Sequence, residues 1–223
     1  MSISIEHKGM LIVLSAPSGG GKSTVLRAIL EEDARIEYSV SVTSREPRKG
    51  EIDGKSYHFV PEETFKQHIK DNRFLEWAVV HGNYYGTRRD IIQEKLDRNI
   101  DIILDLDFQG GLNIKRQMPD SVLIFLLPPS MDVLEKRLRA RNLDDEETIQ
   151  LRLKNAAEEI EYASRYDYVL INDDLEQTIF MTRKIIEAER FSSQHARLNI
   201  KNEPKLLMMK ELRGSDNLPR SRR

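Results

Sequence analysis

The sequence contains no cysteine, so disulfides and thiolate metal sites are excluded outright. Its five histidines, His7, His58, His68, His81 and His195, are scattered, and no two stand at metal-ligand spacing. No apolar run approaches the roughly 20 residues that a membrane-spanning helix needs. The opening MSISIEHKG lacks the charged start and long apolar stretch of a secretory signal, so a soluble, cytoplasmic protein is expected. Nor is there an excess of one charge: 35 Lys and Arg stand against 37 Asp and Glu, a formal net charge of −2. That balance argues against non-specific binding of nucleic acid or membrane by the whole molecule. Internal repeats and low-complexity tracts are also missing.

What is present is organised around residues 10–30, MLIVLSAPSGGGKSTVLRAIL. A short apolar run stops at a turn of Ala16, Pro17, Ser18, Gly19, Gly20 and Gly21. Lys22, Ser23 and Thr24 follow, and then an amphipathic stretch with Val25, Leu26, Ile29 and Leu30 on one side. Strand, glycine loop and helix with GK-[ST] at the junction is the context of a phosphate-binding P-loop. Glycines let the backbone curl so that several N–H groups converge, and the helix N-terminus adds its positive end. Lys22 then reaches the outer phosphates and the Ser23 hydroxyl serves Mg²⁺. The first motif position is Ala16 where the bare GxxxxGK[ST] pattern has glycine.

Beyond this unit, YSVSVT (38–43), YHFV (57–60) and FLEWAVV (74–80) read as strands, with a helix opening at Pro61. His81-Gly82-Asn83 reads as a hairpin turn, and Thr87 as the cap of a helix running to about Arg98. IDIILDL (100–106) and VLIFLL (122–127) read as buried strands, the second a continuous apolar run of the kind found in central parallel strands. Helices are expected from about 109 to before Pro119, after Pro128-Pro129-Ser130, from Asp144 to about Arg165, and from Leu175 to Phe191. Tyr168 to Ile171 is a last strand. Strands alternating with helices predict a doubly wound α/β parallel sheet of P-loop type. The section from Tyr38 to Tyr85 breaks that rhythm and reads as a small mixed insertion. After Ala196 the chain carries basic residues at 197, 201, 205, 210, 213, 220, 222 and 223, which reads as a solvated tail.

Four groups of residues carry candidate chemistry. Arg45 and Arg48 lie in a glycine-flanked loop, and with Tyr57 and Tyr85 they suit a monophosphate; a pair of loop arginines also reads as plain solvated surface. Glu76 is a lone acid in an apolar run, either turned to solvent or receiving hydrogen bonds from a ligand. Asp105 and Asp107 end a strand, where ligands of open α/β sheets bind. Two apart, they point to opposite faces unless the chain bends, so different roles are expected; both also read as helix caps. Arg137 and Arg141 share a helix face, and Arg152 follows on the next helix. They suit a lid over a transferring phosphoryl group, or a charge-laced surface.

Taken together, SAPSGGGKST, SVTSREPRKGEIDGKSYHFV, FLEWAVVHGNYYGT, ILDLDFQG, FLLPPS, RARNLDDEETIQLRL and YVLINDDL, in this order over about residues 8–190, resemble the bacterial guanylate kinase family. The resemblance implies an ATP:GMP phosphotransferase with Mg²⁺. It implies a core of 1–37, 97–128 and 166–195, a GMP-binding insertion of 38–96 and a lid of 129–165; the basic tail of 196–223 is longer and more basic than the family pattern, and the resemblance implies nothing for it. It also implies that Ser41, Glu76, Thr87 and Asp107 recognise guanine, and that Arg45, Arg48, Tyr57 and Tyr85 hold the GMP phosphate. By the same resemblance Asp105 lies near Mg²⁺, Arg137, Arg141 and Arg152 serve the ATP phosphates, and Asn172 lies by adenine. Asn142 departs from the glycine common in relatives after the lid arginine, and its tolerance of left-handed backbone makes the change small. Two other readings remain: a non-catalytic module of the same fold, and a kinase of related fold acting on another phosphorylated acceptor.

Overall fold

The computed structural model describes residues 2–80, 82–140 and 144–201. Strand β1 (Ser2–His7) leads to β2 (Leu11–Ser15), the glycine loop and α1 (Lys22–Glu32). Next come β3 (Ile36–Tyr38), β4 (Val42–Thr43), β5 (His58–Phe59), α2 (Glu62–Lys70), β6 (Phe74–Val80) and β7 (Asn83–Arg88). Helix α3 (Arg89–Asp97), β8 (Asp101–Asp105), α4 (Phe108–Gln117), β9 (Val122–Leu127), α5 (Met131–Ala140) and α6 (Glu146–Glu161) follow. A 3₁₀ turn (Tyr162–Arg165), β10 (Tyr168–Ile171), α7 (Leu175–Glu189) and β11 (Ala196–Lys201) complete the order.

The central sheet is five parallel strands in the order β10-β9-β2-β8-β3. Its inner strands are apolar on both faces because helices cover both faces. Ile12 and Leu14 of β2, Ile103 of β8 and Ile124 of β9 pack on one side with Val25 and Ile29 of α1 and Ile186 of α7. Leu11, Val13, Ile102, Leu104 and Phe125 turn the other way, toward Ile92 of α3 and Ile114 of α4. Alternation by two therefore fills two cores from single strands. Three helices begin on aspartates that satisfy the first free backbone N–H groups: Asp107 for α4, Asp145 for α6 and Asp174 for α7, each at 2.8 Å.

A second sheet, β5-β4-β7-β6, forms the predicted insertion, with its own apolar cluster of Val42, Phe65 and Phe74. The sequence pattern of YSVSVT reads as one strand; the structure makes two, in different sheets. Ser39 still donates to Ile103 O (3.1 Å) in the central sheet, whereas Val42 and Thr43 pair with β7 and β5. Alternation reports which side chains are buried, not which sheet buries them. Thr87 does not cap α3. It lies inside β7, opposite Glu76, and α3 starts two residues later after Arg88. Helix α3, counted with the insertion on sequence grounds, packs on the central sheet through Ile92 and Leu96. His81, in the expected hairpin turn, lies outside the described residues.

The chain ends also differ from expectation. Residues 196–201 are not solvated coil but strand β11, antiparallel to β1, with His7 opposite Ala196 and Ser2 opposite Lys201. This ribbon is anchored where His7 meets Asp101, at 2.6 Å. Asp101 is 1% exposed and also accepts from Met10 N (3.0 Å) and Arg190 Nε (2.7 Å). Arg190, itself buried, reaches Asp33 at 2.7 Å. No helix among the described residues is long and apolar enough to cross a membrane. The buried pair gives a stability prediction. Asp101→Ala leaves the Arg190 guanidinium buried with one carboxylate fewer and should cost about 3–5 kcal/mol, read as a lower midpoint in denaturant unfolding with the slope unchanged.

Candidate active site

The glycine loop joins β2 to α1 as the pattern requires. Gly20 N donates to Pro17 O at 2.8 Å, closing the turn. Gly21 caps α1 in left-handed geometry (φ 90°) with no side-chain cap, so the first helical N–H groups face outward for an anion. A Cβ at Gly21 would lie 2.2 Å from Asn172 Nδ2, so space and backbone both exclude other residues there. Ala16 is accommodated by the absence of a side chain at Gly20, where a Cβ would meet Ala16 Cβ at 2.9 Å. Ser18, Ser23 and Thr24 are exposed around the loop and the helix start, while Pro17 and Gly19 are buried. Lys22 Nζ donates to Leu106 O (2.9 Å) and pairs with Asp105, tying the loop to the end of β8.

Asn172, expected by the resemblance to lie near adenine, braces the glycine loop. It is 4% exposed, and its amide donates to Gly20 O at 2.8 Å. Its backbone N–H donates to Leu127 O (2.7 Å) and its carbonyl accepts from Arg137 Nη2 (2.9 Å). The side-chain amide nitrogen thus braces the loop from the β10 side. Arg137 keeps Nη1 buried with no protein partner. Arg152 donates to Ser18 Oγ and to Asp144, both at 3.0 Å, so α6 already touches the loop. Arg141 lies outside the described residues. Arg139, by contrast, is committed to Glu135 and Glu146 as a surface ladder.

In the insertion, Arg45, Arg48, Tyr57 and Tyr85 do come together. Arg45 donates to Tyr85 OH (3.2 Å) and to Glu51 Oε1 (2.8 Å), and lies over the Tyr57 ring at 5.6 Å. Arg48 offers its backbone N–H to Glu51 Oε2 at 2.7 Å and leaves its guanidinium exposed. The Tyr57 and Tyr85 rings meet edge to face at 5.8 Å. Sequence reasoning missed Glu51, although an acid six residues beyond the first arginine of a turn-rich loop is a visible signal. The Arg45 guanidinium, with the Arg48 N–H, holds the Glu51 carboxyl below its usual range. The same bond holds Arg45 above its own.

A third cluster sits between the sheets. The antiparallel register places Thr87 opposite Glu76, and Thr87 Oγ1, fully buried, donates to Glu76 Oε1 at 2.7 Å. Burial pushes the Glu76 carboxyl up; the Thr87 bond opposes this, and the charge of Asp107 adds to it. Asp105 and Asp107 divide as the two-residue spacing suggests, one facing Lys22 and the other capping α4 through Gly110 N. Ser41 is half-buried on the β3–β4 link, its carbonyl accepting from His58 N (2.9 Å). Two further groups escaped the sequence reading. Tyr166 OH donates to Ser15 Oγ (2.9 Å), and Ser15 Oγ approaches Asp107 O at 3.4 Å, linking the end of β2 to the start of α4. Burial lifts the Tyr166 hydroxyl to about 12. Glu159 of α6 is pushed up by burial and by the charge of Asp107, with Lys22 opposing.

Two anion-ready sites, one in the loop and one in the insertion, with acids between them, can be set beside known proteins. A family model described as guanylate kinase matches residues 8–189. The guanylate kinase of Caldanaerobacter subterraneus is 45% identical over 188 residues, covering 84% of this chain and 91% of that protein. That of Rickettsia typhi is 47% identical over 185 residues, covering 83% and 94%. Among solved structures, the guanylate kinase of Anaplasma phagocytophilum superposes with a TM-score of 0.68 at 36% identity, over 86% of this chain and 92% of that one. The loop, the insertion and the intervening acids all fall within the matched span, and the chain belongs to the guanylate kinase family.

Proposed function

We propose that the chain transfers the γ-phosphoryl group of ATP to GMP, and to dGMP, giving ADP and GDP or dGDP in the cytoplasm. The observation that carries this reading is the clasp on Glu51. Arg45 and the Arg48 N–H already hold an anionic oxygen pair beside Tyr85 and Tyr57. That is the chemistry of a second phosphate site, apart from the glycine loop, so the acceptor is itself a phosphate ester. Glu76 and Asp107 supply carboxylates for the N1–H and 2-amino donors of guanine; the Ser41 and Thr87 hydroxyls complete the base edge. AMP offers no such donors and would leave the half-buried Glu76 without the further hydrogen bonds it lacks, a loss that reaches about 10⁴ in favourable sites.

The protein needs no nucleophile of its own. A GMP phosphate oxygen attacks the γ-phosphorus in line, and ADP leaves, so the work of the site is alignment and charge neutralisation. The loop N–H groups and Lys22 cradle the donor phosphates. Arg137, with its unpartnered Nη1, and Arg152 add positive charge from the proposed lid of 129–165, joined by Arg141. The Ser23 hydroxyl and Asp105 carboxylate form an oxygen donor pair suited to Mg²⁺, which when bound neutralises and orients the phosphates. The insertion of 38–96, less α3, would carry the acceptor toward the core of 1–37, 97–128 and 166–195.

ADP formation from ATP and Mg²⁺ with GMP, dGMP, AMP, CMP or UMP supplied separately is the test. Turnover is expected with GMP and dGMP alone. Comparable rates on AMP would overturn the base assignment, and none on any nucleotide would leave a non-catalytic module.

The two phosphate sites should separate by mutation. Lys22→Ala should lose turnover by at least about 10²-fold while calorimetry still shows GMP binding, since charge on the transferring group is unmatched only on the donor side. Arg45→Ala should instead raise the GMP KM with the ATP KM little changed.

Proton linkage gives a further expectation. Only ionised Glu76 accepts from guanine, and its carboxyl lies above the ordinary range. GMP affinity should therefore be full above that raised value and fall as pH drops through it. Glu76→Gln should be weak throughout and flat over the same interval.

A further inference from the structure

A cavity of about 890 Å³ opens at the amino ends of the parallel strands, at the opposite edge of the sheet from the glycine loop. Its floor is apolar, made by Leu11, Leu75, Leu96 and Met118. Its rim carries Lys8, Arg73, Arg89 and Arg197. The facing acids are partly spoken for: Arg88 Nε donates to Asp90 at 2.7 Å, and Gln93 donates to Asp97 at 2.8 Å. Arg73 has Asp71 beside it at 3.8 Å. With Asp90 neutralised by Arg88 from outside the cavity, Lys8, Arg89 and Arg197 face Asp97 and Asp120, a small excess of positive charge. Two polar groups in the wall lack protein partners. Ser121 is 3% exposed and its Oγ makes no hydrogen bond; Arg89 Nε is likewise buried and unpaired. Buried polar atoms are ordinarily satisfied, so such orphans beside a cavity mark a place where a ligand or solvent completes them.

We propose that this cavity is a binding site for a small molecule with an apolar body and one anionic group, the body on the leucine and methionine floor and the anion among the rim cations. Its position gives it leverage. Leu75 directly precedes Glu76, and Arg89 directly follows the β7 strand that carries Thr87. Arg89 donates to Phe74 O (3.5 Å) and to Gln117, which in turn donates to Leu75 O. A ligand seated here bears on the root of the hairpin that holds the proposed guanine site, so occupancy alters GMP recognition without entering it.

The test uses the full chain and the fluorophore 8-anilinonaphthalene-1-sulfonate, an aromatic monoanion of this class. Saturable binding with one-site stoichiometry is expected, undiminished by saturating GMP and ATP. The exposed double variant Lys8→Glu with Arg73→Glu should weaken it by at least about tenfold with unchanged thermal stability. Leu96→Glu should abolish it; should that variant not fold, the rim variant decides alone. Displacement by GMP or ATP, or equal binding to the rim variant, would overturn the site. The kinetic arm is a change in GMP KM at saturating fluorophore; an unchanged KM would remove the regulatory part. Only this arm rests on the proposed activity, so failure of that activity leaves the binding result standing.

Discussion

Five parallel strands place five carboxyl ends on one edge of the central sheet, and the phosphate chemistry is assembled from that edge. Ser15 and the glycine loop come from β2, Asp105 from β8, the Leu127 carbonyl from β9 and Asn172 from β10. None of these is close to another in sequence except by way of the sheet. The constraint has a second consequence: the loop is braced from both sides. Lys22 ties it to β8 through Leu106 O and Asp105, and Asn172 ties it to β10 through Gly20 O. A loop so held offers its N–H groups already aligned, and preorganised dipoles need no rearrangement when charge arrives.

Against this fixed half stands an insertion whose anion site is internally satisfied. Glu51 binds the Arg45 fork and the Arg48 N–H, and it keeps the guanidinium oriented. An arginine left to solvent would have to be ordered by the incoming ligand at a cost in side-chain entropy. Glu76 shows the opposite strategy. It is kept in an environment that disfavours its charge, with Thr87 as its hydrogen-bond partner; in the proposed role, a ligand that offers further donors is favoured over one that offers none.

Tyr166 ties together two parts of the core. Its hydroxyl meets Ser15 at the end of β2 beside the α4 start that Asp107 caps, so the acid proposed to read guanine is registered against the strand that carries the phosphate loop.

Much of this was legible from residue order. Residues 10–30 announce the loop because glycines, lysine and a following apolar periodicity are local signals, and β6, β9 and β10 stand where the sequence places them because each is a short, mainly apolar run between turn residues. The pairing of Arg45 with Tyr57 and Tyr85 was visible as chemistry, though its partner Glu51 was not. Three things needed the tertiary structure. YSVSVT split between two sheets, since a pattern of burial carries no label for its neighbour. Ser2–His7 and Ala196–Lys201 became one ribbon, since β-pairing across almost the whole chain leaves no trace in local composition. The Asn172 amide turned inward to Gly20 O, because hydrogen bonding inside a packed core depends on which atoms come within 3 Å, and only the folded chain decides that.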